Sequence, residues 1–172
     1  MAKPTSSDRE SGGARTHSLR LLVMSLALTF AAAALGAIAS INAAAFYAHL
    51  ARPAWAPPGW LFGPVWTALY LLMALSLWRV LRVRPAKSRP VRLFLAQLAV
   101  NAVWSWLFFR LHMGALSFAW IVLLVTLLGV TVTAFWQVSS VAGVLLLPYL
   151  AWVLFACALS WALWRANPAA LG

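Results

Sequence analysis

The stretch A-L-S-F-A-W-I-V-L-L-V-T-L-L-G-V-T-V-T-A-F-W, residues 115–136, holds no acidic, basic or histidine side chain. A helix needs about 20 apolar residues to cross a bilayer, and this run supplies that length without a break. Four further runs of the same kind accompany it, at about Leu19–Ile41, Phe62–Val80, Val91–Phe109 and Val141–Trp164. Together they predict an all-α membrane protein built as a bundle of five transmembrane helices.

Composition supports the same class. Of 172 residues, 65% are hydrophobic and only 9% are charged. A soluble domain carries roughly 25% charged residues, so most of this surface must face lipid. The only acids, Asp8 and Glu10, precede the first run. The net charge of +11 does not imply a nucleic-acid partner, because the basic residues sit at the edges of apolar stretches. There they act as topology signals and headgroup anchors.

Residues 1–18 are rich in Ser, Gly, Thr and charge, and read as a disordered cytoplasmic tail. The first apolar run is longer than the 7–15 residues of a signal-peptide core, so it reads as a membrane span. Residues 42–61 hold Pro53, Pro57 and Pro58 among aromatics, with Pro64 opening the next span. This predicts a structured loop with extended or single-turn pieces. The transmembrane domain is expected over 19–167, and 168–172 as a short tail. Four basic residues (Lys3, Arg9, Arg15, Arg20) lie before the spans, six lie between Arg79 and Arg92, and the fourth loop has none. The opposite side has only Arg52, Arg110 and Arg165. The asymmetry predicts a cytoplasmic N terminus, an external C terminus and an external first loop.

Candidates for chemistry are few. No Asp, Glu, Lys or Arg falls in mid-span, where ion-coupled transporters keep them. The three histidines, His17, His49 and His112, lie outside the spans and pair with no Cys, Asp or Glu at metal spacing. Neither a metal site nor a catalytic constellation is expected. Cys157 is a lone cysteine and reads as a packing residue.

Eleven tryptophans stand out. An interfacial belt accounts for some but not for Trp66, Trp104 and Trp152, which fall in mid-span. Trp66, Tyr70 and Met73 share one helical face, as do Gln97, Asn101 and Trp104 with Ser105 and Phe108 beside them. Trp152, Ala156 and Ser160 recur at every fourth position. Amides in hydrocarbon need partners, so Gln97 and Asn101 face the bundle interior. Two readings stay open from spacing: glue between helices, or the wall of a pocket for a large, flat, apolar ligand with polar edges. In the first span, Ala32, Gly36 and Ser40 follow small-xxx-small spacing and read as close packing, within the bundle or between protomers.

Three ordered blocks carry a resemblance. R-P-A-W-A-P-P-G-W-L-F-G-P-V-W-T-A-L-Y (52–70), Q-L-A-V-N-A-V-W-S-W-L-F-F (97–109) and P-Y-L-A-W-V-L-F-A (148–156) resemble the TspO/MBR family of tryptophan-rich sensory proteins, relatives of the mitochondrial translocator protein. The resemblance covers about residues 50–167. It implies a five-helix bundle, often dimeric, with a pocket under the first loop that binds porphyrins. In the mitochondrial members the pocket also binds cholesterol and synthetic drugs. Carried onto this chain, the pocket residues are Trp66, Tyr70, Asn101, Trp104, Trp152 and Ala156, joined by Gln97 from the spacing. Trp55, Pro57 and Pro58 become the loop lid. These are largely the residues the spacing selects, which shifts the balance from glue to pocket. The cholesterol pattern of the mitochondrial members, an Asn-Tyr pair followed by Arg, is not met. Ser160, Trp161 and Arg165 stand there, so a bacterial-style member is expected.

The function expected is therefore a multi-pass receptor or regulator in a bacterial membrane that binds porphyrin-like tetrapyrroles, with no obligatory cofactor and as a homodimer. Light-dependent porphyrin modification and tetrapyrrole or sterol transport are the alternatives.

Overall fold

The structure, a computed structural model, describes residues 6–172, with side chains described from Gly13 onward. Five long helices carry the fold: α1 (Ser6–Ala39), α3 (Phe62–Leu81), α4 (Arg89–Ser105), α5 (Gly114–Trp136) and α6 (Ser140–Ala166). Short α2 (Ala43–His49) and a single 3₁₀ turn at Gly59–Leu61 lie in the first loop, and α7 (Pro168–Leu171) ends the chain. Among the described residues, five helical segments are long and apolar enough to cross a membrane, namely Gly13–Ala39, Gly59–Leu81, Arg89–Arg110, Gly114–Trp136 and Ser140–Ala166.

Helix ends follow the local sequence. Pro64 and Pro90 sit in the first turns of α3 and α4, where the missing N–H has no helical partner. Ser139 caps α6, its hydroxyl accepting from the Ala142 amide at 3.4 Å. Pro148 lies inside α6 without ending it.

Three boundaries depart from the sequence reading. The first helix begins at Ser6, where the reading placed a disordered tail through residue 18. Once the apolar segment is helical, each added residue gains a bond at little further cost, so the helix continues outward through 18 to 6. Residues 1–5 of that expected tail lie outside the described residues. The third span does not run as one α-helix to Phe109: Trp106–Arg110 form a π-helical turn, with the Leu111 amide bonded to the Trp106 carbonyl at 2.9 Å. Residues 168–172 are not a free tail. Leu171 is fully buried, and the Trp164 indole donates to the Gly172 carbonyl at 3.3 Å.

The long helices form a ring in the order α1, α3, α6, α5, α4, with α4 closing back on α1. The tightest seam is α5–α6, where a Cβ on Gly143 would lie 2.6 Å from the Trp136 ring. Glycine is required there by close approach. Between the helices, Met73, Leu77, Phe94, Leu128, Phe135 and Leu146 are almost wholly buried, and Phe94 stacks on Phe135 at 5.6 Å. Outward faces expose Leu95, Val103, Val122, Leu147 and Leu154. This apolar exterior is the reverse of a soluble bundle and suits hydrocarbon.

Candidate functional site

A cavity of about 600 Å³ lies beneath α2 and the 3₁₀ turn. Its walls are α1, α3, the end of α4 with its π turn, and α6. From α3 come Phe62, Trp66 and Tyr70, one turn apart on a single face. Asn101, Trp104, Ser105, Phe108 and Phe109 come from the α4 side. The π turn inserts an extra residue per turn, which helps bring Phe108 and Phe109 both onto the cavity face. Ala156, Leu159, Ser160 and Leu163 of α6 complete the far wall.

The aromatic rings form two groups. Trp66 tilts on Tyr70 at 5.6 Å and meets Tyr149 edge-on at 6.1 Å. Trp104 stacks on Phe108 at 5.3 Å and 15°. Beneath them runs a buried chain of hydrogen bonds. The Tyr70 hydroxyl donates to Asn101 Oδ1 at 2.8 Å, Asn101 Nδ2 donates to the Tyr149 hydroxyl at 2.8 Å, and that hydroxyl donates to Gln97 Oε1 at 3.0 Å. Four side chains from α3, α4 and α6 are thereby joined. Gln97 Nε2 ends the chain without a partner among the described residues. Glue and pocket are thus not alternatives: the amides join the helices, and the cavity rests on them.

Five of the residues selected from sequence meet on the cavity: Trp66, Tyr70, Asn101, Trp104 and Ala156. Gln97 does not reach it. It is fully buried below, held by Tyr149 one helical layer away. Trp152 is also set back, packed edge-on against Phe62 at 5.9 Å and tilted on Phe155 at 5.5 Å. It supports the wall from behind, on the α3–α6 side. Trp55 is half exposed and meets Phe155 edge-on at 5.8 Å, and neither it nor Pro57 and Pro58 lines the cavity. The lining of the roof is instead Tyr47, Gly59 and Phe62. Pro57 contributes its carbonyl, which accepts from the Tyr47 hydroxyl at 2.9 Å.

Sequence reasoning missed the α1 wall. Phe30, Ala33, Gly36, Ala37 and Ser40 line the cavity. Gly36 also lets α1 approach α4, since a Cβ there would lie 3.3 Å from the Ser105 hydroxyl. The small-residue stripe was the available signal; it marks helix approach and cavity wall together. Tyr47 and Asn167 were missed as well. The Asn167 side chain accepts from the Ala51 amide at 2.7 Å and donates to the Ala51 carbonyl at 2.9 Å. It thereby ties the first loop to the end of α6. Burial raises the Tyr47 phenol pKa, and the nearby Arg52 guanidinium partly offsets this.

Comparison with known proteins agrees with this architecture. The model of the TspO/MBR family matches residues 24–165. The chain belongs to the TspO/MBR family. It is an integral, multi-pass membrane protein, as other members are. Protein CrtK of Rhodobacter capsulatus is 37% identical over 88% of this chain and 95% of its own. Tryptophan-rich protein TspO of Chlorobaculum tepidum is 40% identical over 72% of this chain and 80% of its own. The human translocator protein is 38% identical over 71% of this chain and 75% of its own. The TspO/MBR match takes in all five spans from Met24 onward, and with them every residue of the cavity wall.

Proposed function

We propose that this TspO/MBR protein is a membrane receptor or regulator that binds porphyrin-like tetrapyrroles in the cavity beneath the first loop. The observation that carries the reading is the cavity itself: about 600 Å³, within the range of small-molecule sites, and walled by aromatic faces above a polar floor. A flat macrocycle stacks on Trp66 or Trp104. Tyr70 spends its proton on Asn101, which leaves its oxygen lone pairs to accept from a ligand N–H. The reading includes a homodimer in a bacterial membrane, with the N terminus cytoplasmic as the basic residues at 79–92 support.

Titration of the purified protein with protoporphyrin, followed by quenching of tryptophan fluorescence, tests the proposal. Trp66→Ala and Asn101→Ala are each expected to weaken binding about tenfold or more, the loss typical of a well-packed anchor. Wild-type affinity in both variants would falsify this site.

A further inference from the structure

The cavity wall holds no Lys, Arg, His, Asp or Glu among its lining residues. A ligand with a charged arm must therefore keep that arm outside the wall. One cation stands at the roof. The Arg52 guanidinium lies 5.1 Å from the centre of the Tyr47 ring, and Tyr47 lines the cavity from above. A second, shallower depression, lined by Leu50, Arg52, Pro53, Ala56 and Pro58, adjoins the roof at Pro58–Gly59.

Among the residues whose side chains the structure describes, no Asp or Glu stands near Arg52, for both acids of the chain precede Gly13. The only acids, Asp8 and Glu10, lie near the start of α1, whose other end is at Ala39. At 1.5 Å per residue, roughly 40 Å of helix separates them from the loop end of the bundle. The backbone beside Arg52 is also fixed, because both the N–H and the C=O of Ala51 are bonded to Asn167. A cation held in place at the rim of a neutral, aromatic cavity is suited to an anionic group that comes from outside the chain.

We infer that Arg52 recognises a carboxylate arm of the ligand, so that the site takes a flat apolar body carrying an acidic side arm and discriminates against the neutral ester. The body occupies the main cavity, and the arm passes Tyr47 to reach the depression around Arg52. A guanidinium meets a carboxylate through two parallel N–H···O bonds. Asn167 acts as a positioning residue, through the backbone of Ala51. The inference rests on the tetrapyrrole reading of the same cavity.

The test compares protoporphyrin with its dimethyl ester, using the full-length protein in phosphatidylcholine nanodiscs at low salt. Each is titrated against wild type, Arg52→Gln and Arg52→Lys by tryptophan quenching. Arg52 is exposed, and an exposed ion pair contributes a factor of about five at most. The expected result is a diacid-to-ester preference about three- to fivefold higher in wild type than in Arg52→Gln. Arg52→Lys is expected to keep part of it, and about 0.5 M salt to erase it. Taking the ratio between variants cancels the unequal partitioning of the two porphyrins into lipid. An equal ratio in wild type and Arg52→Gln overturns the inference. So does an Arg52 that serves an anionic lipid instead: the ratio is then equal in both proteins, and Arg52→Gln alters thermal stability only in phosphatidylglycerol nanodiscs. If neither porphyrin quenches wild type, the tetrapyrrole reading itself fails.

Discussion

Replacing Tyr149 by Phe removes one oxygen atom from the centre of the bundle. That oxygen accepts from Asn101 Nδ2 at 2.8 Å and donates to Gln97 Oε1 at 3.0 Å. Gln97 is fully buried and Asn101 is 2% exposed, so water does not replace the lost partner. In a soluble core each orphaned group costs about 1–3 kcal/mol. Between membrane helices a hydrogen bond averages nearer 0.6 kcal/mol, with a maximum of about 1.7. Two bonds lost together therefore give roughly 1–3 kcal/mol of destabilisation. Gln97 Nε2 already lacks a partner among the described residues, so Tyr149→Phe leaves the entire Gln97 side-chain amide without one. Adding Gln97→Leu removes that amide, and the double variant is expected to recover a large part of the loss. SDS-titrated unfolding in mixed micelles, followed by far-UV circular dichroism, measures all three. The hydrogen-bonded chain is refuted if Tyr149→Phe stays within about 0.3 kcal/mol of wild type. It is equally refuted if the two substitutions add without coupling.

The neighbouring elements give further expectations. Gly143→Ala places a Cβ 2.6 Å from the Trp136 ring and should cost about 1–3 kcal/mol by overpacking. Gly129→Ala, with nothing within 4 Å, should instead be neutral or stabilising by up to about 1 kcal/mol; the same unfolding assay compares them. Asn167→Ala frees the Ala51 backbone and should raise amide hydrogen exchange across residues 50–58 while leaving the α3–α6 seam protected. Reporter fusions at both termini should place the N terminus in the cytoplasm and the C terminus outside, and a cytoplasmic C terminus contradicts the basic-residue asymmetry.

The spans were legible because length and hydropathy decide them. The sequence reading places α3, α5 and α6 within two residues at either end, since a charged or turn residue closes each apolar run: Arg82, Gly114, Ser139 and Arg165 stand at these limits. The start of α1 was not legible. Ser, Gly and charge describe what residues 6–18 would do alone, and the attached apolar helix overrides that preference. The π turn at 106–110 has no marker in W-L-F-F-R, whose residues all suit an ordinary α-helical turn. Periodicity selected the faces of α3 and α4 that line the cavity. It could not rank depth along a face, so Gln97 and Asn101 looked equivalent although only Asn101 reaches the cavity. Trp152 lies off the cavity for a related reason: spacing of four links it to Ala156, but the indole packs on Phe62 and Phe155. The α1 wall was hidden because alanine and glycine carry no chemical signature, and a wall of small residues reads the same as a packing seam.

The size of the cavity constrains how the protein works. A dry, enclosed void of about 600 Å³ at about 24 cal/mol per Å³ would cost roughly 14 kcal/mol, which rivals the whole stability of a domain. The helices could relieve that cost by collapsing inward, and two features oppose it. The Tyr70–Asn101–Tyr149–Gln97 chain fixes the separation of α3, α4 and α6, because moving any one of them breaks buried hydrogen bonds. The ring faces are already packed in pairs, Trp66 on Tyr70 and Trp104 on Phe108. The remaining relief is a filled cavity. Ala34, Ala37 and Thr67 line it and are also exposed, so the space communicates with the surroundings between α1 and α3. On the tetrapyrrole reading, binding is then an exchange, in which the ligand displaces lipid chains or water from the apolar walls. Apolar area contributes little to such an exchange, because both occupants bury it. On the same reading, what separates one ligand from another is flatness against the indoles, the lone pairs of Tyr70, and the cation proposed at the rim.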